Sequence, residues 1–134
     1  MIAPLLLAAA LQTAHPCDIP PPVDRTASPF RAGVCWNQTG LDGQPTEPAT
    51  ELRVFVDGAL AATLFNPQPI GPPNAVGEFY YEVSDVVAPR GDRVLTFTVV
   101  NEVGESLPSD PFSFRVLGAR PGKPTKARVE KAQP

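Results

Sequence analysis

Between Leu95 and Val116 apolar side chains fall on every second position, twice over, with a turn between the two runs. Leu95, Phe97 and Val99 alternate with Thr96 and Thr98; beyond the turn Phe112, Phe114 and Val116 alternate with Ser113 and Arg115. A period of two puts one set on one face of a strand and the second set on the other. The segment therefore reads as two antiparallel strands, each with a buried and a solvated side, and Thr96 and Thr98 are expected to face water. Proline tightens the constraint, at 18 of 134 residues against an average usage of about 5%. It neither continues a helix nor fits a central ladder position, so it cuts the chain into short strands and many turns.

The same alternation recurs upstream. Phe30–Asn37 places Phe30, Ala32, Val34 and Trp36 on one face. Trp36, the sole tryptophan, is expected in the core, because a buried indole removes roughly 150–250 Å² from water. Glu51–Asp57 points Leu52, Val54 and Val56 inward and ends on Asp57-Gly58, a strong turn signal. Leu60–Phe65 reads as a short edge strand. Asn66–Gly77, with Pro67, Pro69, Pro72 and Pro73, reads as an exposed extended loop, and Glu78–Val83 as a strand with Phe79, Tyr81 and Val83 on one side. The Pro-rich Cys17–Pro29 is expected to form an extended first strand broken by prolines. About seven short strands with turn signals between them predict an all-β, antiparallel two-sheet sandwich. Its core is expected to include Trp36, Val54, Phe97, Phe112 and Phe114.

Residues 1–14 read MIAPLLLAAALQTA. The apolar run Leu5–Leu11 falls well short of the roughly 20 residues a membrane helix needs. It looks like the core of a secretory signal peptide, with cleavage after Ala10 or Ala14, although no Lys or Arg precedes it. The other reading is a short apolar arm that packs on a partner. The chain thus divides into a signal segment (1–14), a sandwich (15–118) and a Pro-, Lys- and Arg-rich tail (119–134). Cys17 and Cys35 are the only cysteines, and in an exported chain they are expected to form one disulfide. Alternation places Cys35 opposite Trp36, so the bridge would tie the N-terminal segment across the outside of its neighbouring strand; in a reducing compartment both would remain thiols. A secreted or extracytoplasmic location follows, with a virion as the alternative.

Charge is uneven: the first 114 residues carry a net −8 and the last 20 a net +5. A basic tail on an acidic body could touch nucleic acid or an anionic surface. It lacks interleaved aromatics and a helix to array its bases, so it reads as a solvated linker and no nucleic-acid partner is expected.

The stretch Asn101-Glu102-Val103-Gly104-Glu105-Ser106-Leu107-Pro108-Ser109 resembles the N-x-x-G-x-S-x-x-S signature of fibronectin type III domains, at the end of strand F and the F–G turn. The resemblance runs from about Pro20 to Leu117. It matches Trp36 to the family's strand-B tryptophan and Leu52–Val56 to its strand C, and implies a fibronectin type III or immunoglobulin-like sandwich. The tail Ala119–Thr125 looks like the linker that opens a following domain of the same type. Two features depart from the family. Its corner tyrosine, counted back from Asn101, falls on Arg93, so that corner bond is missing or replaced; and a Cys17–Cys35 pair is not usual for it. The Cys–Trp–Cys spacing of immunoglobulin domains is absent, since Cys35 directly precedes Trp36.

Catalysis finds no inventory. The one histidine, His15, stands beside the cleavage point, leaving no dependable base for a nucleophile. Two cysteines and one histidine near that end do not compose a closed metal site, and no cofactor is implied. Arg90-Gly91-Asp92 spells a tripeptide that some adhesion modules present to integrins; the plainer account is a tight turn before the next strand. The functional expectation is a non-catalytic secreted binding or spacer module. It would meet an unknown protein or a surface polysaccharide through the loops Gln38–Thr50 and Asn66–Gly77, and no membrane span is expected in the mature chain. A decoration subunit of a virion or surface appendage is the second reading; carbohydrate adhesion is a third, without an exposed aromatic row to support it.

Overall fold

Each alternating segment becomes a strand in the computed structural model, which describes residues 14–40, 42–118 and 121–133. The strands are β1 (Arg25–Thr26), β2 (Phe30–Trp36), β3 (Glu51–Val56), β4 (Ala59–Phe65), β5 (Phe79–Val86), β6 (Gly91–Val100) and β7 (Phe112–Val116). One sheet has five strands in the order β1-β7-β6-β3-β4; the other pairs β2 with β5. All pairings are antiparallel except β1 with β7, a parallel contact of two residues, Arg25 with Arg115 and Thr26 with Val116. Of the expected signal segment 1–14, residues 1–13 lie outside the described residues, as do Leu41, Ala119, Arg120 and Pro134.

The ten-residue β6 explains the sandwich's economy. Its Leu95 stands opposite Val56 on β3 and Phe112 on β7, and its Phe97 opposite Val54, so one apolar face runs across three strands. That face packs on Ala32, Tyr81 and Val83 of the smaller sheet to form one buried cluster with Leu52, Val54, Val86, Phe114 and Val116. Phe30 of β2 meets Phe114 of β7 edge to face at 5.2 Å between ring centroids, joining the two sheets. Such aromatic pairs add about 0.5–1.5 kcal/mol beyond area burial.

Four expectations need correction. Trp36 is half-buried: it caps the core, its ring stacked on Tyr81 at 3.8 Å and 9°, and Tyr81, 2% exposed, is the large residue at the centre. Trp36 is the last residue of β2, so it sits at the rim of the core and keeps part of its surface in solvent. Phe112 is half-buried for the matching reason, as the first residue of β7. Thr98 is buried rather than solvated, at 6% exposure. Glu105 folds over the outer face of β6 and accepts the Thr98 hydroxyl at 2.6 Å, while Arg53 bridges Glu105 to Glu51. The Pro-rich first segment gives only the two residues of β1, preceded by a 3-10 turn at Pro16–Asp18. Pro20, Pro21 and Pro22 have no N–H to donate, so the chain cannot pair there with the free edge of β2.

Cys17 and Cys35 are bonded, with Cα atoms 5.9 Å apart. Cys35 stands opposite Tyr80 on the outer face of β2–β5, so the bridge fastens the N-terminal segment across the outside of the smaller sheet. Closing 18 residues contributes about 3 kcal/mol in the chain-entropy account. On the same face the Tyr80 ring lies on Gly33: a Cβ there would stand 2.8 Å from Tyr80 Cε1. The Tyr80 hydroxyl donates to Glu82 at 2.9 Å; burial first, then this hydrogen bond, pushes its pKa up to about 12.

Candidate recognition face at the loop end

Glu51 pairs with Phe65 and with Val100, and Trp36 with Phe79. The loops 37–50, 66–78 and 101–111 therefore emerge at one end of the sandwich. The third loop is the most constrained. Asn101 donates its N–H to the Gly104 carbonyl, and its Oδ1 accepts from the N–H groups of Val103 and Gly104. Gly104 has φ 150°, a conformation that glycine adopts most readily.

Regular pairing of β6 with β7 stops at Leu95 and Phe112, and two serines then continue it. Ser109 donates its N–H to the Phe97 carbonyl and accepts the Phe97 N–H on Oγ, both at 2.9 Å. Ser106 does the same for Val99, at 2.8 and 2.9 Å. Each serine presents a donor and an acceptor, as a strand residue would. This gives the signature its physical content: serines three apart on an irregular segment match residues two apart on β6. The intervening side chains are turned outward, leaving Val103 85% and Leu107 74% exposed.

The other two loops are held similarly. In 37–50, Gly40 N–H bonds the Gln44 carbonyl and Asp42 Oδ1 accepts from Gln44 N–H. In 66–78, Asn74 accepts from the N–H groups of Val76 and Glu78 and donates to Asp18. Pro67 is buried, so this loop is not uniformly solvated. The loops also touch: Asn101 Nδ2 reaches the Glu47 carbonyl at 3.4 Å. His15 ties the N-terminal segment to the same end. Its Nδ1 accepts from Cys17 N–H, so Nε2 carries the proton and donates to the Pro72 carbonyl at 2.9 Å. Phe65, Ile70 and Val76, at the same end as Val103 and Leu107, are exposed too. Sequence reasoning singled out the first two loops. It missed Val103 and Leu107 as surface groups, although their place between the signature's fixed positions was the available signal.

The opposite end holds the β5–β6 corner. Where the family resemblance implies a tyrosine, Arg93 donates Nε to the Pro89 carbonyl at 2.9 Å, Nη2 to the Arg90 carbonyl and Nη1 to Asp57 Oδ2 at 3.0 Å. The corner bond is replaced by a guanidinium. Arg93 and the Val94 N–H hold the Asp57 carboxyl below its ordinary range. Arg90, Gly91 and Asp92 do not form a free turn: Gly91 and Asp92 open β6, opposite Val116 and Arg115, and the Arg90 carbonyl is engaged by Arg93. Among the described residues no three His, Cys, Asp or Glu side chains gather as metal ligands would, and no helix is long and apolar enough to cross a membrane.

The chain resembles a divergent fibronectin type III domain. No family model matches it, and no curated protein is significantly similar. Among solved structures it is similar to a fibronectin(III)-like module of Clostridium thermocellum CbhA, with 16% identity, a TM-score of 0.38, and coverage of 75% of this chain and 94% of that one. The F–G geometry, rather than that likeness, carries the resemblance.

Proposed function

We propose that this protein is a non-catalytic binding module, exported from the cell, that meets a protein or a surface polysaccharide with the loop end of its sandwich. The observation that carries it is that Phe65, at the end of β4, and Ile70, Val76, Val103 and Leu107, on loops whose backbones are hydrogen-bonded into place, are all large, apolar and exposed at this one end of the sandwich. Single exposed apolar residues are ordinary; a group of them on rigid loops is how sandwich folds recognise partners. The two perturbed groups support the non-catalytic reading. Asp57 and Tyr80 owe their shifts to Arg93, to burial and to Glu82, and each is engaged in a structural hydrogen bond, Asp57 across to Arg93 and Tyr80 along its own strand to Glu82. Export is supported by the disulfide and by the signal-like run 1–14.

N-terminal sequencing of natively produced protein tests export: a start at Leu11 or His15 is expected, and an intact Met1 overturns it. Affinity capture from the producer's surface fraction tests the face. Val103→Asp and Leu107→Asp are expected to lose what the wild type captures, while Val87→Asp, exposed at the other end, keeps it. Capture that survives both loop variants overturns the assignment.

A further inference from the structure

The two ends of the sandwich carry opposite charge. The loops 37–50, 66–78 and 101–111 contain six acids and no Lys or Arg. At the far end Arg25, Arg90 and Arg115 line one open cleft of about 310 Å³ with Leu117 and Gly118. Among the described residues neither Arg90 nor Arg115 has a carboxylate within ion-pair distance; Arg25 has only Asp24, at 3.8 Å and well solvated. All three lysines of the chain follow immediately, in the tail. No hydrogen bond or ion pair joins described tail residues 121–133 to the sandwich. The cleft is thus a cationic, part-apolar socket, open among the described residues.

We infer that the chain associates head to tail with copies of itself, the β6–β7 turn of one copy seating in the arginine cleft of the next. This rests on the loop end being the recognition face, and names its partner. The turn presents Glu102 beside Val103, both exposed; the cleft presents guanidinium groups beside Leu117, 43% exposed. Carboxylate meets guanidinium, the arrangement arginine serves best, and Val103 meets Leu117. Because turn and cleft lie at opposite ends, the contact is heterologous and propagates instead of closing as a dimer. The tail's lysines add long-range attraction toward the acidic loops of the neighbour.

Sedimentation of the full mature chain across a concentration series tests this. At low salt the mean mass is expected to climb past a dimer, and to return to monomer at about 0.5 M salt, where screening lengths shrink to a few Å. Glu102→Arg alone and Arg115→Glu alone each weaken association roughly tenfold or more, because like charges then face one another. Glu102→Arg mixed with Arg115→Glu offers the wild-type contact in one direction and the reversed pair in the other, so the two variants are expected to alternate and the mean mass to climb past a mixed dimer. A chain that stays monomeric at every concentration in low salt overturns the inference, as does association indifferent to both reversals or a mixture that does not recover. A cleft that binds heparin while the chain stays monomeric identifies a polyanion site and overturns it equally. Partner capture by Val103 and Leu107 is read separately, so loss of self-association leaves the recognition face itself standing.

Discussion

Arg93 Nη1 lies 3.0 Å from Asp57 Oδ2, and through this pair the β3–β4 turn is fastened to the β5–β6 corner. Asp57 is itself the first residue of its turn, with φ 52°, followed by Gly58 at φ 80°. Its second oxygen accepts the Val94 N–H at 2.9 Å, and its own N–H bonds the Val94 carbonyl. One guanidinium thereby gathers two backbone carbonyls and a carboxylate that belong to segments 36 residues apart.

Arg93→Ala is expected to destabilise the sandwich by about 1–2 kcal/mol, since these are charge-assisted bonds at a partly solvated site. For a domain of this size that lowers Tm by roughly 4–8 °C per kcal/mol. Arg93→Lys is expected to recover less than half of the loss, because a single ammonium cannot reach three acceptors in a plane. Thermal unfolding followed by circular dichroism distinguishes the two; equal Tm for wild type and Arg93→Ala removes the corner's structural role.

Acid should dissolve the same pair. The folded Asp57 carboxyl titrates below its ordinary value of 3.8, so the folded state binds a proton there less readily than the unfolded chain. The stabilisation is fully present above that value and is lost as pH falls below it. The Tm gap between wild type and Asp57→Asn is expected to be widest at neutral pH and to narrow below pH 3.8. Asparagine tolerates the positive φ, so turn conformation is not confounded. A gap that is constant with pH contradicts the ion pair.

Tyr80 behaves in the opposite sense. Its folded pKa, raised to about 12 from 10.0, means that its contribution is complete below pH 10.0 and is lost as pH rises toward 12. Ultraviolet titration should show one phenol ionising near 12. Glu82→Gln, which removes a neighbouring negative charge, should bring it down while burial keeps it above 10.0. A Tyr80 transition unmoved by Glu82→Gln rejects the contact.

The two signature serines should be unequal. Ser109 serves the Phe97 N–H, which is part-buried, and Ser106 the Val99 N–H, which is exposed. Water can replace Ser106 Oγ more readily than Ser109 Oγ. Ser109→Ala is expected to cost about 1–2 kcal/mol and Ser106→Ala about 0.5 kcal/mol. Amide exchange should rise at Phe97 in the first and at Val99 in the second; the reverse order of stability refutes the burial argument.

Period-two alternation and turn chemistry were enough to place six of the strands, because both are local: Leu52, Val54 and Val56 face inward by spacing alone, and Asp57-Gly58 bends where its backbone preferences demand. The N-x-x-G-x-S-x-x-S spacing likewise marks the β6–β7 turn, because each of its fixed positions serves a local backbone group. Tertiary structure decided what depends on chain ends and on distant partners. Trp36 sits at the rim because β2 stops there. Thr98 is buried because Glu105 and Arg53 happen to close over it, and proline denied the first segment a place beside β2. No local pattern could announce that Arg93 would meet Asp57, or that Arg25, Arg90 and Arg115 would share one cleft, since the fold alone brings such separated residues within reach.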